Sequence, residues 1–199
     1  MDFPLCLLWI CYISTELCAA MDVKEIIDRY YPVENELKKI YTIHARCVTE
    51  LALEMGHRHP ELRLDMQFVE EAAMLHDLGI FLTDAPRIYC FGTEPYLCHG
   101  YLGAQLLRGL GFERHARVCE RHTGTGLSKD AIVANAWNLP VKDFYPETLE
   151  EQLICFADKF FSKTKFLETP RTSAQVVESM AKISDGAVFK VKEWGGMFM

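Results

Sequence analysis

Residues 71–81 read EAAMLHDLGIF. Ala72, Ala73 and Leu75 continue an apolar helical period begun at Phe68 and Val69, and the run ends in an adjacent His76-Asp77 pair just before Gly79. Asp65 has the chemistry of a helix start and Gly79 that of a helix stop, so a helix is expected between them. His76 follows Ala72 by four residues and Val69 by seven, which places it on the inner face. A polar group buried there without a partner costs about 1–3 kcal/mol. It must therefore be satisfied by backbone, or bound to something. The rest of the chain decides between these.

Outward from this segment, nearly everything after Met21 has helical periodicity. A short helix from Asp22 to Tyr31 stops at Pro32, and Asp22 with Glu25 has capping-box spacing. The stretch ENELKKIYTIHARCVTELALEMGHRHP (34–60) carries Leu37, Ile40, Tyr41, Cys47, Val48, Leu51, Ala52 and Met55 at the 3.6-residue period. Residues 80–97 hold Pro86, Gly92 and Pro95 and read as a loop. A helix from about Leu97 to Leu110 closes at Gly111, and ERHARVCERH (113–122) is a further short helix ended by TGTG. A looser, proline-containing stretch runs from Leu127 to Pro146. Thr148 with Glu151 opens the helix LEEQLICFADKFFSKTK (149–165). One more amphipathic helix, roughly Ser173 to Ile183, precedes an irregular end. With no alternating β run, the expected fold is an all-α helical bundle forming a single domain over 21–199.

The composition narrows the function. The chain has 199 residues, half of them hydrophobic, and a formal net charge of −7 with no run of Lys or Arg. No broad surface for a nucleic-acid polymer is expected, while a local basic pocket for one phosphate is compatible with this. The eight cysteines include no C-x-x-C pair, so zinc-ribbon and thioredoxin chemistry lack their signature. Reduced thiols and a cytoplasmic location are expected. The leader MDFPLCLLWICYISTELCAA (1–20) has an apolar stretch from Phe3 to Ile13, well short of the ~20 residues that span a bilayer. Without a basic start it reads as a mis-called extension ahead of Met21 rather than a secretory signal.

Three helices each break an apolar stripe with His or Asp. His44 replaces an apolar residue on the stripe Leu37-Ile40-Tyr41-Val48-Leu51, His76 and Asp77 end the next helix, and Asp158 follows Ile154 by four with only Lys159 as a nearby cation. One such residue is ordinarily a satisfied core group. Their repetition points to a shared divalent metal, which neutralises carboxylates and uses imidazoles as neutral ligands. His99, starting one helix, and His122, ending another, extend the set to four His and two Asp, with Asp77 placed to bridge a metal pair about 3.5–4 Å apart. His57 and His59, at a polar helix end before Pro60, read as surface residues. His115 is placed outside the metal shell.

The order His44, His76-Asp77, Asp158 resembles the HD superfamily of metal-dependent phosphohydrolases, and HDLGI (76–80) is close to its HDIG variant. His99 and His122, in CHGYLGAQLL (98–107) and ERHTGTG (120–126), look like its dinuclear branch. LICFADKFFSKT (153–164) is particularly similar to the last motif of the bacterial symmetrical diadenosine tetraphosphate hydrolases. The resemblance runs from about Asn35 to Lys165. Two departures stand out: Ile80 and Phe81 occupy the place where many members carry a lysine shortly after HD, and the GYP motif of the cyclic-di-GMP phosphodiesterases is absent.

The resemblance implies hydrolysis of a phosphoester or phosphoanhydride in a small phosphorylated substrate, a nucleotide foremost. Two transition-metal ions are expected, Fe or Mn first, with Zn, Co, Ni and Mg also compatible. His44, His76 and Asp158 would hold one ion and His99 and His122 the other, with Asp77 bridging and orienting the attacking hydroxide. Lys159 and Arg121 are candidates for phosphate contact, Arg87 a weaker one, and His115 the candidate proton donor. The same ligands also suit an HD-type di-iron oxygenase resembling myo-inositol oxygenase. A non-catalytic HD-fold regulatory module is the third reading.

Overall fold

The computed structural model describes residues 21–199, so the leader expected at 1–20 lies outside the described residues. Helix α1 (Val23–Tyr30) is capped by the Asp22 carboxylate, which accepts from the Glu25 N–H at 2.9 Å. Helix α2 (Glu36–Arg58) is capped by Asn35 in the same way. It packs against α3 (Met66–Leu75), whose start is capped by Asp65. Helices α4 (His99–Gly109) and α5 (Glu113–Arg121) form an adjacent pair, and α7 (Leu149–Asp158) lies against α2, α3 and α5. The fold is all-α, as the periodicity requires.

The helix expected over 149–165 ends at Asp158, the chain turning from Lys159 onward, and three further parts of the chain depart from the expectation. The segment 80–97 contains three very short strands, β1 (Thr83–Ala85), β2 (Cys90–Phe91) and β3 (Glu94–Pro95), in the order β2-β1-β3. The first pair is antiparallel and the second parallel. Strands this short have no room to display alternation. Within 127–146 a single short helix, α6 (Lys129–Ala134), is capped by Ser128.

The expected irregular end is instead helical. Helix α8 (Ser173–Ala181), opened by a capping box at Thr172 and Gln175, is followed by α9 (Asp185–Phe198). Ala187, Val191, Trp194 and Phe198 form the buried stripe of α9, and the Trp194 indole donates to the Gln152 side chain on α7 at 3.1 Å. Gly186, Gly195 and Gly196 mask that period in the sequence, since glycine weighs against a helix. Burial of each large side chain, at about 1.5–3 kcal/mol, outweighs the propensity loss of about 1 kcal/mol per glycine.

Two apolar clusters fill the interior. One gathers Val48, Val69, Ile154, Phe156, Val191 and Trp194; the other gathers Ile27, Tyr41, Leu75, Leu78, Ile80 and Leu107. His44 sits on α2 between Tyr41 of the second and Val48 of the first, and His76 follows directly on Leu75. The polar cluster thus occupies the seam between two apolar ones. Among the described residues no helix is long and apolar enough to cross a membrane. Cys47, Cys90, Cys98, Cys119 and Cys155 are buried free thiols.

Candidate metal centre

The end of α3 and the turn after it are buried, so their carbonyls need donors. Three side chains supply them: the Tyr41 hydroxyl to Met74 O at 2.7 Å, the Tyr31 hydroxyl to Leu78 O at 3.0 Å, and the Cys119 thiol to Leu75 O at 3.0 Å. These contacts hold the His76-Asp77 turn deep inside, with both residues fully buried. Gly79 then passes tightly under α4. A Cβ there would lie 2.3 Å from the His99 carbonyl and 2.4 Å from the Gly103 nitrogen. Glycine is what lets the HD turn and His99 meet.

All six nominated ligands converge. The Oδ2 atom of Asp77 is 3.1 Å from both His44 Nε2 and His76 Nε2, and its Oδ1 atom is 3.3 Å from His99 Nε2 and 3.5 Å from His122 Nε2. Asp158 Oδ1 completes the first half, 3.0 Å from His44 Nε2 and 3.5 Å from His76 Nε2. The His99 and His122 Nε2 atoms are 3.0 Å apart. Two groups emerge, His44-His76-Asp77-Asp158 and Asp77-His99-His122, with Asp77 common to both.

The hydrogen bonds behind the rings set the chemistry in front. His76 Nδ1, His99 Nδ1 and His122 Nδ1 each donate to the carbonyl three residues earlier, those of Ala73, Tyr96 and Cys119, at 2.6, 2.6 and 2.7 Å. An imidazole that donates from Nδ1 presents a lone pair at Nε2 when neutral. Burial keeps His99 and His122 neutral, the former pushed down to about 3. For His76 burial acts in the same sense, but the Asp77 and Asp158 carboxylates override it and raise the ring to about 9. The half of the site around His76 stabilises positive charge.

The donor set fits a metal. His76 Nε2 and both carboxylate oxygens of Asp77 are buried with no aligned hydrogen-bond partner, and such atoms call for an occupant. Lone pairs facing one another at 3.0 Å, as on His99 and His122, repel unless a cation lies among them. Ligands bonded at about 2.0–2.2 Å to one ion stand roughly 3–3.5 Å apart, close to the separations above.

The other nominated residues are placed differently. The Lys159 ammonium is held between Asp158 Oδ2 and the His122 carbonyl, both at 2.8 Å, where it orients a proposed ligand. Arg121 is committed to Glu147 at 2.8 Å and to the buried Glu151 at 3.0 Å. Arg87 is exposed, on the turn that precedes β2. His115 contacts Glu71 at 3.2 Å and packs against the rings of Phe68 and Phe112. His57 is exposed, whereas His59 is half-buried and pairs with Glu61 at a helix end.

Two residues in the site were not nominated. The Lys163 ammonium reaches Asp77 Oδ2 at 2.5 Å and His44 Nε2 at 3.2 Å, although it follows α7 by five residues. Tyr96 stacks on His99 with ring centroids 4.7 Å apart and planes 21° off parallel. The residue is 37% exposed, while burial around its hydroxyl, against the nearby Lys163 charge, pushes that group up to about 12. Lys163 lies inside the motif ADKFFSK, but only the turns after α7 send it back toward α2, and spacing does not signal them.

Comparison with known proteins agrees with this architecture. A Methanocaldococcus jannaschii protein, "Uncharacterized protein MJ0778", is 35% identical over 128 residues, covering 63% of this chain and 68% of that protein. Two proteins named tRNA (cytidine(56)-2'-O)-methyltransferase are also similar. The Picrophilus torridus one is 31% identical over 125 residues, and the Thermoplasma volcanium one is 30% identical over 140. These matches cover 62% and 70% of this chain but only 32% and 36% of those longer proteins, so the methyl-transfer activity in their names stays with them. No solved structure matches the chain. The HD domain family matches residues 41–162, the span that carries every ligand of the cluster, and the chain belongs to that family.

Proposed function

We propose that this protein is a dinuclear metal-dependent phosphohydrolase acting on a small phosphorylated substrate, a nucleotide or dinucleoside polyphosphate foremost. Membership of the HD family supports the phosphohydrolase class. The observation that carries the dinuclear reading is the bridging position of Asp77: Oδ2 turns to His44 and His76, Oδ1 to His99 and His122. His44, His76 and Asp158 would hold one ion, His99 and His122 the other. Bound there, the metals supply a water whose pKa falls from 15.7 toward about 7, together with polarisation of the phosphoryl oxygens.

The chain's own groups do the positioning. Carbonyls of Ala73, Tyr96 and Cys119 fix three rings with Nε2 inward, the outer-shell arrangement that keeps ligands basic and aligned. Lys159 pins the outer oxygen of Asp158 and leaves Oδ1 facing the imidazoles. The net charge of −7 favours a small substrate over a nucleic-acid polymer.

The test compares protein purified without oxygen with its Asp77→Ala variant, by metal analysis and by phosphate release from dinucleoside polyphosphates and nucleotides. About two transition-metal ions per chain with turnover, both lost in the variant, is the expected result. Unchanged metal content in the variant would refute the site. Substrate-dependent oxygen uptake without phosphate release would move the assignment to the oxygenase reading.

A further inference from the structure

Lys163 is a cation of the ligand cluster that the proposed mechanism has not used. Its ammonium is 2.5 Å from Asp77 Oδ2 and 3.2 Å from His44 Nε2, and its side chain is only 10% exposed. Asp77 and His44 also belong to the first metal group. A carboxylate oxygen has lone pairs to share, but an imidazole nitrogen has one. Lys163 and a metal ion therefore cannot both use His44 Nε2.

The backbone around Lys163 is fixed. Ser162 N–H donates to the Phe166 carbonyl at 2.9 Å, and the Arg171 guanidinium donates to the carbonyls of Lys159 and Phe161 at 2.9 and 3.3 Å. An exchange needs rotation of the lysine side chain and nothing more. Tyr96, stacked on His99, is 37% exposed, which brings solvent to that side of the cluster.

We propose that Lys163 is a displaceable internal counter-cation: it neutralises Asp77 until the first metal ion claims Asp77 and His44, and then turns toward the solvent side of the cluster at Tyr96 as the cation that meets the substrate's phosphate. The second half rests on the phosphohydrolase reading; the first does not. The charge arrives from the turn after α7.

The test uses the full chain stripped by chelator, with Lys163→Met, which keeps length and removes charge, and Lys163→Arg. Calorimetric titration with Mn2+ should show about tenfold tighter first-ion binding in the Met variant, a coupling of ordinary size. The melting temperature of that variant should fall below wild type when stripped and match it when loaded with Mn2+. Inorganic phosphate should bind the Mn2+-loaded Met variant about tenfold more weakly, with recovery in Lys163→Arg. Equal Mn2+ affinity in wild type and the Met variant would overturn the exchange, as would equal destabilisation of the stripped and loaded forms, which marks a structural lysine. Phosphate failing to bind wild type, with the Mn2+ difference intact, would sink the phosphate reading and leave the exchange standing.

Discussion

The Nε2 atoms of His99 and His122 face each other at 3.0 Å, with their far nitrogens tied to the carbonyls of Tyr96 and Cys119. Each ring is therefore committed to presenting a lone pair to the same point, where Asp77 Oδ1 also arrives. This half of the site has one carboxylate oxygen and two imidazoles, while the other half has four residues. Replacing His99 or His122 with alanine should reduce metal content from about two ions per chain to about one. Replacing His44 should remove the other ion. Elemental analysis of the purified variants decides, and two ions retained in His99→Ala would end the two-ion assignment.

Arg121 offers a contrast between position and role. Although it adjoins His122, its guanidinium is engaged by Glu147 and by Glu151, which is almost fully buried and also bound by Arg117 at 3.0 Å. Removing one partner of a buried ion pair costs several kcal/mol, less where a second cation remains. Arg121→Ala should lower stability by about 1–3 kcal/mol, or roughly 2–4 °C of melting temperature per kcal/mol for a chain of this size. KM should stay within about twofold of wild type, because ground-state substrate binding is untouched. A large KM increase with unchanged melting temperature would return Arg121 to the substrate.

His115 gives a pH signature for folding. Burial lowers its pKa, against the pull of Glu71 and Asp65 and with the help of Arg114. A histidine depressed in the fold titrates at about 6.5 when unfolded, so the unfolded chain binds more protons below that value. Its contribution is fully present above about pH 6.5 and is lost as the pH falls toward the folded pKa. His115→Gln should flatten the acid limb of melting temperature against pH below about 6.5 and leave the neutral region with a small uniform offset. An acid limb identical to wild type would show that other groups set it.

The sequence alone carried the all-α fold, and it nominated the six polar residues that the structure brings together. Periodicity marked α2, α3 and α7, and polar residues standing in apolar stripes marked His44, His76, Asp77 and Asp158, because an unpartnered polar group in a core must have a reason. The caps at Asp22, Asn35, Asp65 and Thr148 are local hydrogen bonds, and two of them, Asp22 and Thr148, were readable from spacing alone. In the Thr148 cap, however, the Glu151 carboxylate accepts from the Glu147 N–H rather than closing the box. Helix α9 stayed hidden because tertiary burial of Trp194 and Phe198 outweighs its glycines.

Tertiary structure decided which atom faces which. Only the packing of α2, α3, α4 and α5 gives Asp77 one oxygen for each histidine pair, and only the close passage of Gly79 beneath α4 permits it. It also separated the cations that spacing could not rank, sending Arg121 to Glu151, fixing Lys159 on Asp158 and delivering Lys163 to Asp77. The division has a physical cause. Helical period and burial of polar groups are written along the chain, whereas the aim of a long flexible side chain depends on turns and partners far away in sequence.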